Sequence, residues 1–236
     1  MAPQGDLIDI APCCKVDHII KEQVAKQLQK IKPYKAPGPD SISNINLTKC
    51  TDLLLDRLFH IYTAIYEKKF HYKLLKYFTT IILHKPGKPH YNIPKAYRPI
   101  ALLNMMWKVL TGILVVQLSH YTGKYYLLPD HHYSGWQRQT TTDAMHMLTY
   151  RIKEAWCKGK VASVLFLDIE GAFPNAVLEK LVHNLRKCKV PLKLIDFTEE
   201  MLNNRAARLR FNDYKSDIIP ISNGIGQGDP LSMGLY

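Results

Sequence analysis

Acidic residues are scarce in this 236-residue chain: 20 Asp and Glu stand against 32 Lys and Arg, a net charge of +12. That imbalance suits a polyanionic partner, either nucleic acid or an anionic surface. Cysteine is sparse and unpatterned. Cys13, Cys14, Cys50, Cys157 and Cys188 are odd in number, hold no C-x2-C pair, and put two thiols side by side. This excludes a disulfide framework and a zinc ribbon, and points to free thiols in a reducing compartment, cytosol or nucleus. A secretory signal is lacking as well, because Asp6 and Asp9 break up the first twenty residues. The longest apolar stretch, Ile100 to Leu118, carries Asn104, Lys108 and Gln117. A lysine near mid-bilayer costs about 2.5–3.5 kcal/mol, so this stretch reads as a buried core helix with no membrane role. Internal repeats and low-complexity tracts are absent. An intracellular, non-secreted globular chain is the expectation.

What is present is an ordinary globular composition, 47% apolar and 22% charged. Residues 1–16 show no periodicity and read as a loose lead-in. From Asp17, a good N-cap, Ile20, Val24, Leu28 and Ile31 recur at helical spacing until Pro33. Lys35-Ala36-Pro37-Gly38-Pro39-Asp40 then forms a rigid turn. A helix is predicted over 51–69, a short strand over 78–83, and a Lys-, Arg- and Pro-rich loop from His84 to Tyr97. A long helix follows over about 102–121, then a loop over 128–138 and a helix over 141–158 closed by Gly159. Val161 to Leu167 is a continuous apolar run ending in Asp168, which reads as a fully buried strand with a carboxylate at its tip. Two helices over 176–189 and 192–204 and a hairpin around Asn212-Asp213-Tyr214-Lys215 come next. Asp229-Pro230 starts a last helix. The fold class is α+β with a small sheet.

Three features bear on chemistry. Asp168 follows an apolar run and precedes Ile169-Glu170-Gly171-Ala172-Phe173. A carboxylate on a rigid strand end can hold Mg²⁺ for phosphoryl transfer, and by itself it equally suits a turn cap. Lys85 and Lys88 in Lys85-Pro86-Gly87-Lys88, together with Arg98, set cations on both sides of a proline-stiffened excursion suited to a triphosphate. A solvated charged loop has the same composition. Gly224-Ile225-Gly226-Gln227-Gly228 is a glycine-rich turn before a helix, where anions bind, although its spacing is neither a P-loop nor a dinucleotide fingerprint. His131-His132 reads as an exposed loop pair. Trp107, Trp136 and Trp156 read as core or lobe-interface residues, and Phe211 and Tyr214 lie where a template could pass.

Taken in order, the Lys35–Asp40 turn, Lys85-Pro86-Gly87-Lys88, Tyr97-Arg98-Pro99-Ile100-Ala101-Leu102-Leu103-Asn104, Phe166-Leu167-Asp168-Ile169-Glu170-Gly171-Ala172-Phe173 and Gly226-Gln227-Gly228-Asp229-Pro230-Leu231-Ser232 resemble the reverse transcriptase domain of non-LTR, LINE-like retrotransposons. The resemblance covers nearly the whole chain from Asp17. It implies a right-hand polymerase fold: fingers over 17–105, palm over 106–176, fingers again over 177–226, and a returning palm from 227 to 236. It also implies roles. Asp168 matches the first catalytic, metal-binding aspartate, and the Ile169 carbonyl its companion ligand for two Mg²⁺ ions. Phe173 matches the steric gate against a ribose 2′-OH. Lys85 or Lys88, with Arg98, matches the cations on the dNTP triphosphate, and Gln227 and Gly228 match the pair beside nucleotide and template. The implied partners are an RNA template, a DNA primer and a dNTP, with no obligate protein partner.

One departure from the family pattern matters. The aromatic-x-Asp-Asp element expected beyond the glutamine motif does not occur, since no two aspartates are adjacent in the chain. The expectation is therefore the front half of a polymerase, with an incomplete palm, no thumb and no primer extension of its own. Rival readings are a non-catalytic nucleic-acid-binding remnant and a translated fragment without activity.

Overall fold

A computed structural model describes residues 11–69, 72–129, 131–133 and 139–235. Eight helices and four strands occur among them: α1 Lys21–Gln29, α2 Asn44–Lys49, α3 Thr51–Lys68, β1 Tyr77–His84, β2 Tyr97–Leu102, α4 Met105–Lys124, α5 Thr141–Cys157, α6 Leu178–Lys187, α7 Leu192–Leu202, β3 Arg205–Phe211, β4 Tyr214–Ile221 and α8 Pro230–Leu235. The class is α+β with a small mixed sheet, as expected. None of the described helices is long and apolar enough to cross a membrane.

The organising element is α4. It is apolar on most of its circumference and therefore has to lie inside the molecule. Trp107, Val109, Leu110, Ile113, Leu114 and Leu118 are all buried. Helix α1 crosses it at Gly112, whose carbonyl accepts a hydrogen bond from Gln27 Nε2 (3.0 Å). Tyr62 of α3 donates its hydroxyl to Met106 O (2.6 Å). The first helix begins at Lys21 and not at Asp17 because Asp17 is engaged elsewhere. Its amide donates to the Tyr121 hydroxyl (2.9 Å), which in turn donates to Asp17 Oδ2 (3.2 Å). Asn104 precedes α4 and is buried against the Lys35–Asp40 turn. Its Oδ1 accepts from the Asp40 amide (3.3 Å). A Cβ on Gly38 would fall 2.6 Å from the Asn104 amide nitrogen, so only glycine lets these two motifs interlock.

The sheet runs β2-β1-β3-β4, with β1 and β3 parallel and the two outer pairs antiparallel. The stretch 97–102 is an edge strand rather than loop and helix start, and it pairs with β1 through Ile82↔Pro99 and Leu83↔Arg98. Proline is tolerated there because an edge strand can present one side without donors. Phe78 of β1 and Ala207 of β3 stand opposite each other on the face that joins the core. The register puts Arg98, Arg208, Arg210 and Lys215 on the other face, with Ile81 and Ile100 between them.

The largest correction concerns 161–167. The sequence reads as a buried strand, but the segment has no ladder partner and is exposed: Val161 is 93% and Leu167 85% accessible. An apolar run becomes a strand only where another strand offers hydrogen bonds, and none among the described residues does. Helix α5 forms as expected, opened by a capping box in which Thr140 Oγ1 accepts from the Asp143 amide (3.2 Å) and Asp143 Oδ2 from the Thr140 amide (2.8 Å). It buries no residue, however, and Trp156 is exposed, not core. Trp107 is core. Trp136 and most of the predicted lead-in, 1–10, lie outside the described residues. All five cysteines are free, and burial beside Cys14 pushes the Cys13 thiol up to about 11.

Candidate functional site

Backbone hydrogen bonds join three of the sequence motifs. The Gly224–Gly228 loop runs between the end of β2 and the turn that follows Asp168. On one side the Ala101 amide donates to Gln227 O (2.9 Å). On the other, the Ile225 amide donates to Phe173 O (2.8 Å) and the Gly224 amide to Ala176 O (2.7 Å). Ala101, Phe173 and Gln227 thereby belong to one small region, although 126 positions separate Ala101 from Gln227. Gly228 is what allows the approach. It has φ +127°, and a Cβ there would lie 2.6 Å from Ala101 O.

Phe173 is half-buried and packs on the core, while Gln227 and Gly228 are exposed beside it. Asp168 and Ile169 are both exposed, five and four residues ahead of Phe173. Glu170 continues the segment, and its carboxylate pairs with Lys95 Nζ (2.7 Å). Hydrogen bonding and attraction in that pair lower Glu170 and raise Lys95 from their ordinary values. Lys95 belongs to the basic loop, so this ion pair ties the loop to the Asp168 segment. Both partners are solvent-exposed, which makes the tie weak and salt-sensitive.

Lys85 and Lys88 stand apart from that contact. Lys85 is half-buried and spends its Nζ on Lys95 O (2.9 Å), so it shapes the loop. Lys88, one residue beyond Gly87 in the turn, is exposed, as is Arg98. At this end of the sheet His84, Tyr91, Tyr97 and Phe211 form a ring cluster, with Tyr97 and Phe211 edge to face at 5.5 Å and His84 and Tyr91 at 4.7 Å. Tyr214 beside them is exposed. Arg210 and Lys215 are exposed with Arg98 on this face of the sheet, and Arg208 lies half-buried on it. Sequence reading does not pick out Arg208, Arg210 and Lys215, because the signal is the strand register and not any local motif.

Among the described residues no group of three or more His, Cys, Asp or Glu side chains is placed to hold a metal. Asp168 supplies one carboxylate and Ile169 one carbonyl. Such a pair can anchor a hard divalent cation that keeps water and substrate phosphate as its remaining ligands.

Main-chain hydrogen bonds thus hold a glycine-flanked glutamine beside the Phe173 turn, at the border of a sheet that carries basic side chains. The chain belongs to the reverse transcriptase (RNA-dependent DNA polymerase) family, which it matches over residues 83–236. It is 27% identical over 215 residues to a probable RNA-directed DNA polymerase from transposon BS of Drosophila melanogaster, covering 91% of this chain and 24% of that protein. It is 26% identical over 215 residues to the RNA-directed DNA polymerase from mobile element jockey of the same species, covering 91% and 23%. A retrovirus-related Pol polyprotein from the type-1 retrotransposable element R2 of Nasonia vitripennis is 25% identical over 201 residues, 85% of this chain and 19% of that protein. The likeness to non-LTR, LINE-like elements read from the motifs therefore holds along most of this chain. The chain spans about a quarter of the length of the first two relatives.

Proposed function

We propose that this chain carries the nucleotide-selecting part of an RNA-directed DNA polymerase. The sheet and its helices act as fingers over 17–105 and 177–226, and the 106–176 and 227–236 stretches belong to the palm. The reaction supported is template-directed dNTP addition, in which a primer 3′-OH attacks the α-phosphate in line and pyrophosphate leaves. Asp168 and the Ile169 carbonyl would hold Mg²⁺, which when bound neutralises charge on the triphosphate and on the attacking and leaving oxygens. Lys88 and Arg98 grip phosphate oxygens, Arg98 through its planar fork, and Lys85 stiffens the loop that presents them. The Phe173 ring crowds the sugar on its 2′ side. Gln227 and Gly228 stand beside base and template. The basic sheet face with Arg208, Arg210 and Lys215 tracks the phosphate backbone of the RNA template and DNA primer.

The observation that carries this reading is the convergence of β2, the Phe173 turn and the Gln227 loop through three main-chain hydrogen bonds. A non-catalytic remnant is not favoured, because it has no need of the exposed Asp168 five residues ahead of the Phe173 turn. The test is equilibrium binding of Mg²⁺·dTTP to the chain preloaded with poly(rA)/oligo(dT), for wild type and Asp168→Asn. Both proteins bind the hybrid, and only wild type retains the nucleotide. Equal nucleotide binding by both, or binding indifferent to Mg²⁺, overturns the proposal.

A further inference from the structure

Beneath the Gly224–Gly228 loop lie two buried charged residues, Arg205, to which none of the roles above applies, and Asp229, which caps α8. Arg205, at the start of β3, is 8% exposed. It donates Nε to Leu202 O (2.8 Å) and Nη2 to Gly224 O (2.6 Å). Asp229 is 5% exposed. Its amide donates to Gly226 O (3.2 Å), its Oδ1 accepts from the Leu231 amide (2.9 Å), and its Oδ2 accepts from Trp107 Nε1 (3.3 Å). Arg205 and Lys108 both attract the Asp229 carboxylate. Burial opposes these charges: it pulls Arg205 and Lys108 down and pushes Asp229 up from their ordinary values. The loop is thus gripped at its first residue by a guanidinium and just past its last by a carboxylate. The space between Arg205, Asp229, Gly226 and Ser232 amounts to about 20 Å³, room for one water molecule at most.

Charged groups are costly to bury, and apolar side chains of similar volume often serve stability as well or better. A guanidinium fork does what an apolar side chain cannot: it fixes two carbonyls, of Leu202 and Gly224, relative to each other. We propose that Arg205 and Asp229 are positioning residues for nucleotide binding, holding the Gly224–Gly228 loop on the path that sets Gln227 and Gly228 toward the incoming dNTP. This rests on the reading of Gln227 and Gly228 as nucleotide-facing. Neither Arg205 nor Asp229 touches the nucleotide; both act through the loop.

The test compares the full chain with Arg205→Met, Arg205→Lys, Asp229→Asn and the control Tyr62→Phe, which removes a buried hydrogen bond between α3 and α4 far from the loop in sequence. Amide hydrogen exchange is followed over 224–229 and over α4 and α7, and Mg²⁺·dTTP affinity is measured on the same proteins. Loss of a charge-assisted hydrogen bond is expected to speed exchange in the loop and weaken nucleotide binding by about tenfold or more in Arg205→Met and Asp229→Asn. Arg205→Lys recovers part of both, and Tyr62→Phe changes neither ratio between loop and helices. Loop exchange that rises no more in Arg205→Met than in Tyr62→Phe, or a freed loop with unchanged affinity, overturns the proposal. A wild-type chain that binds no nucleotide overturns the reading of Gln227 and the nucleotide half of this proposal with it, while the exchange data still decide whether Arg205 and Asp229 hold the loop. If Arg205→Met does not fold, Arg205→Lys and Asp229→Asn decide the question.

Discussion

Replacing Gly228 with alanine tests the junction on which the site is built. The new Cβ would stand 2.6 Å from Ala101 O, closer than carbon and oxygen can approach, and the backbone would have to keep φ at +127°. Holding a non-glycine residue in such a region costs about 1–3 kcal/mol. The contacting atom is backbone, so it cannot swing away, and relief requires β2 and the loop to separate. That sacrifices the Ala101 N–Gln227 O hydrogen bond, worth about 0.5–1.5 kcal/mol. The expected loss is therefore about 2–4 kcal/mol, a large share of the roughly 5–15 kcal/mol that holds a domain together. Urea unfolding followed by fluorescence reads it as a lower midpoint with an unchanged slope. A Gly226→Ala control, whose Cβ would meet only the Ala101 side chain at an ordinary 3.7 Å, should cost much less. If Gly228→Ala unfolds within about 0.5 kcal/mol of wild type, the size of an ordinary surface change, the claimed close approach is wrong.

Hybrid binding should weaken steeply with salt, and Arg208→Ala and Arg210→Ala should each lower the log–log slope by about 1; a slope unmoved by either removes the open sheet face from the interface. Hydrogen bonds from Lys193 and His18 hold the Glu67 carboxyl below its ordinary value of 4.5. A depressed carboxyl stabilises above the unfolded value and loses that contribution as pH falls through the folded one. Stability should therefore fall below pH about 4.5 more in wild type than in Glu67→Gln, and parallel acid melts would contradict this. Leu165→Lys with Leu167→Lys should reduce concentration-dependent association in sedimentation, since these side chains are exposed on an unpaired extended segment; unchanged association would place the contact elsewhere. The 236-residue chain should show no primer extension on poly(rA)/oligo(dT), because one aspartate cannot hold two cations about 4 Å apart; incorporation that disappears in Asp168→Asn would refute this.

Much of the fold was legible because helices announce themselves by period and punctuation. Leu54, Leu58, Ile61 and Ile65 mark α3, and Asp229-Pro230 opens α8 with the Leu231 amide on Asp229 Oδ1, as a cap should. Edge strand β2 was hidden because Arg98-Pro99 looks like loop, and whether proline is allowed depends on which side of the strand is paired. Helix α2 is six residues of mostly polar sequence and carries no period. The 161–167 run shows the opposite failure. Its composition is right for a strand, but a strand is a relation between two segments and local sequence holds only one of them. The same limit applies to the site. Asp168, Phe173 and Gln227 could be named from motifs, whereas the Lys95–Glu170 pair, the Arg208–Arg210–Lys215 face and the Arg205 grip on Gly224 arise from register and packing between distant residues.

The central claim is that the 85–98 loop, the Asp168–Phe173 segment and the Gly226–Gly228 turn form one nucleotide site. Replacing Mg²⁺ with paramagnetic Mn²⁺ in the presence of dTTP, and recording which backbone amides broaden, tests it most directly. The account predicts that amides of 168–170, of 226–228 and around Arg98 broaden together along one titration, and that Asp168→Asn abolishes all three. Broadening confined to 168–170, or spread over surface carboxylates and indifferent to Asp168→Asn, would contradict it.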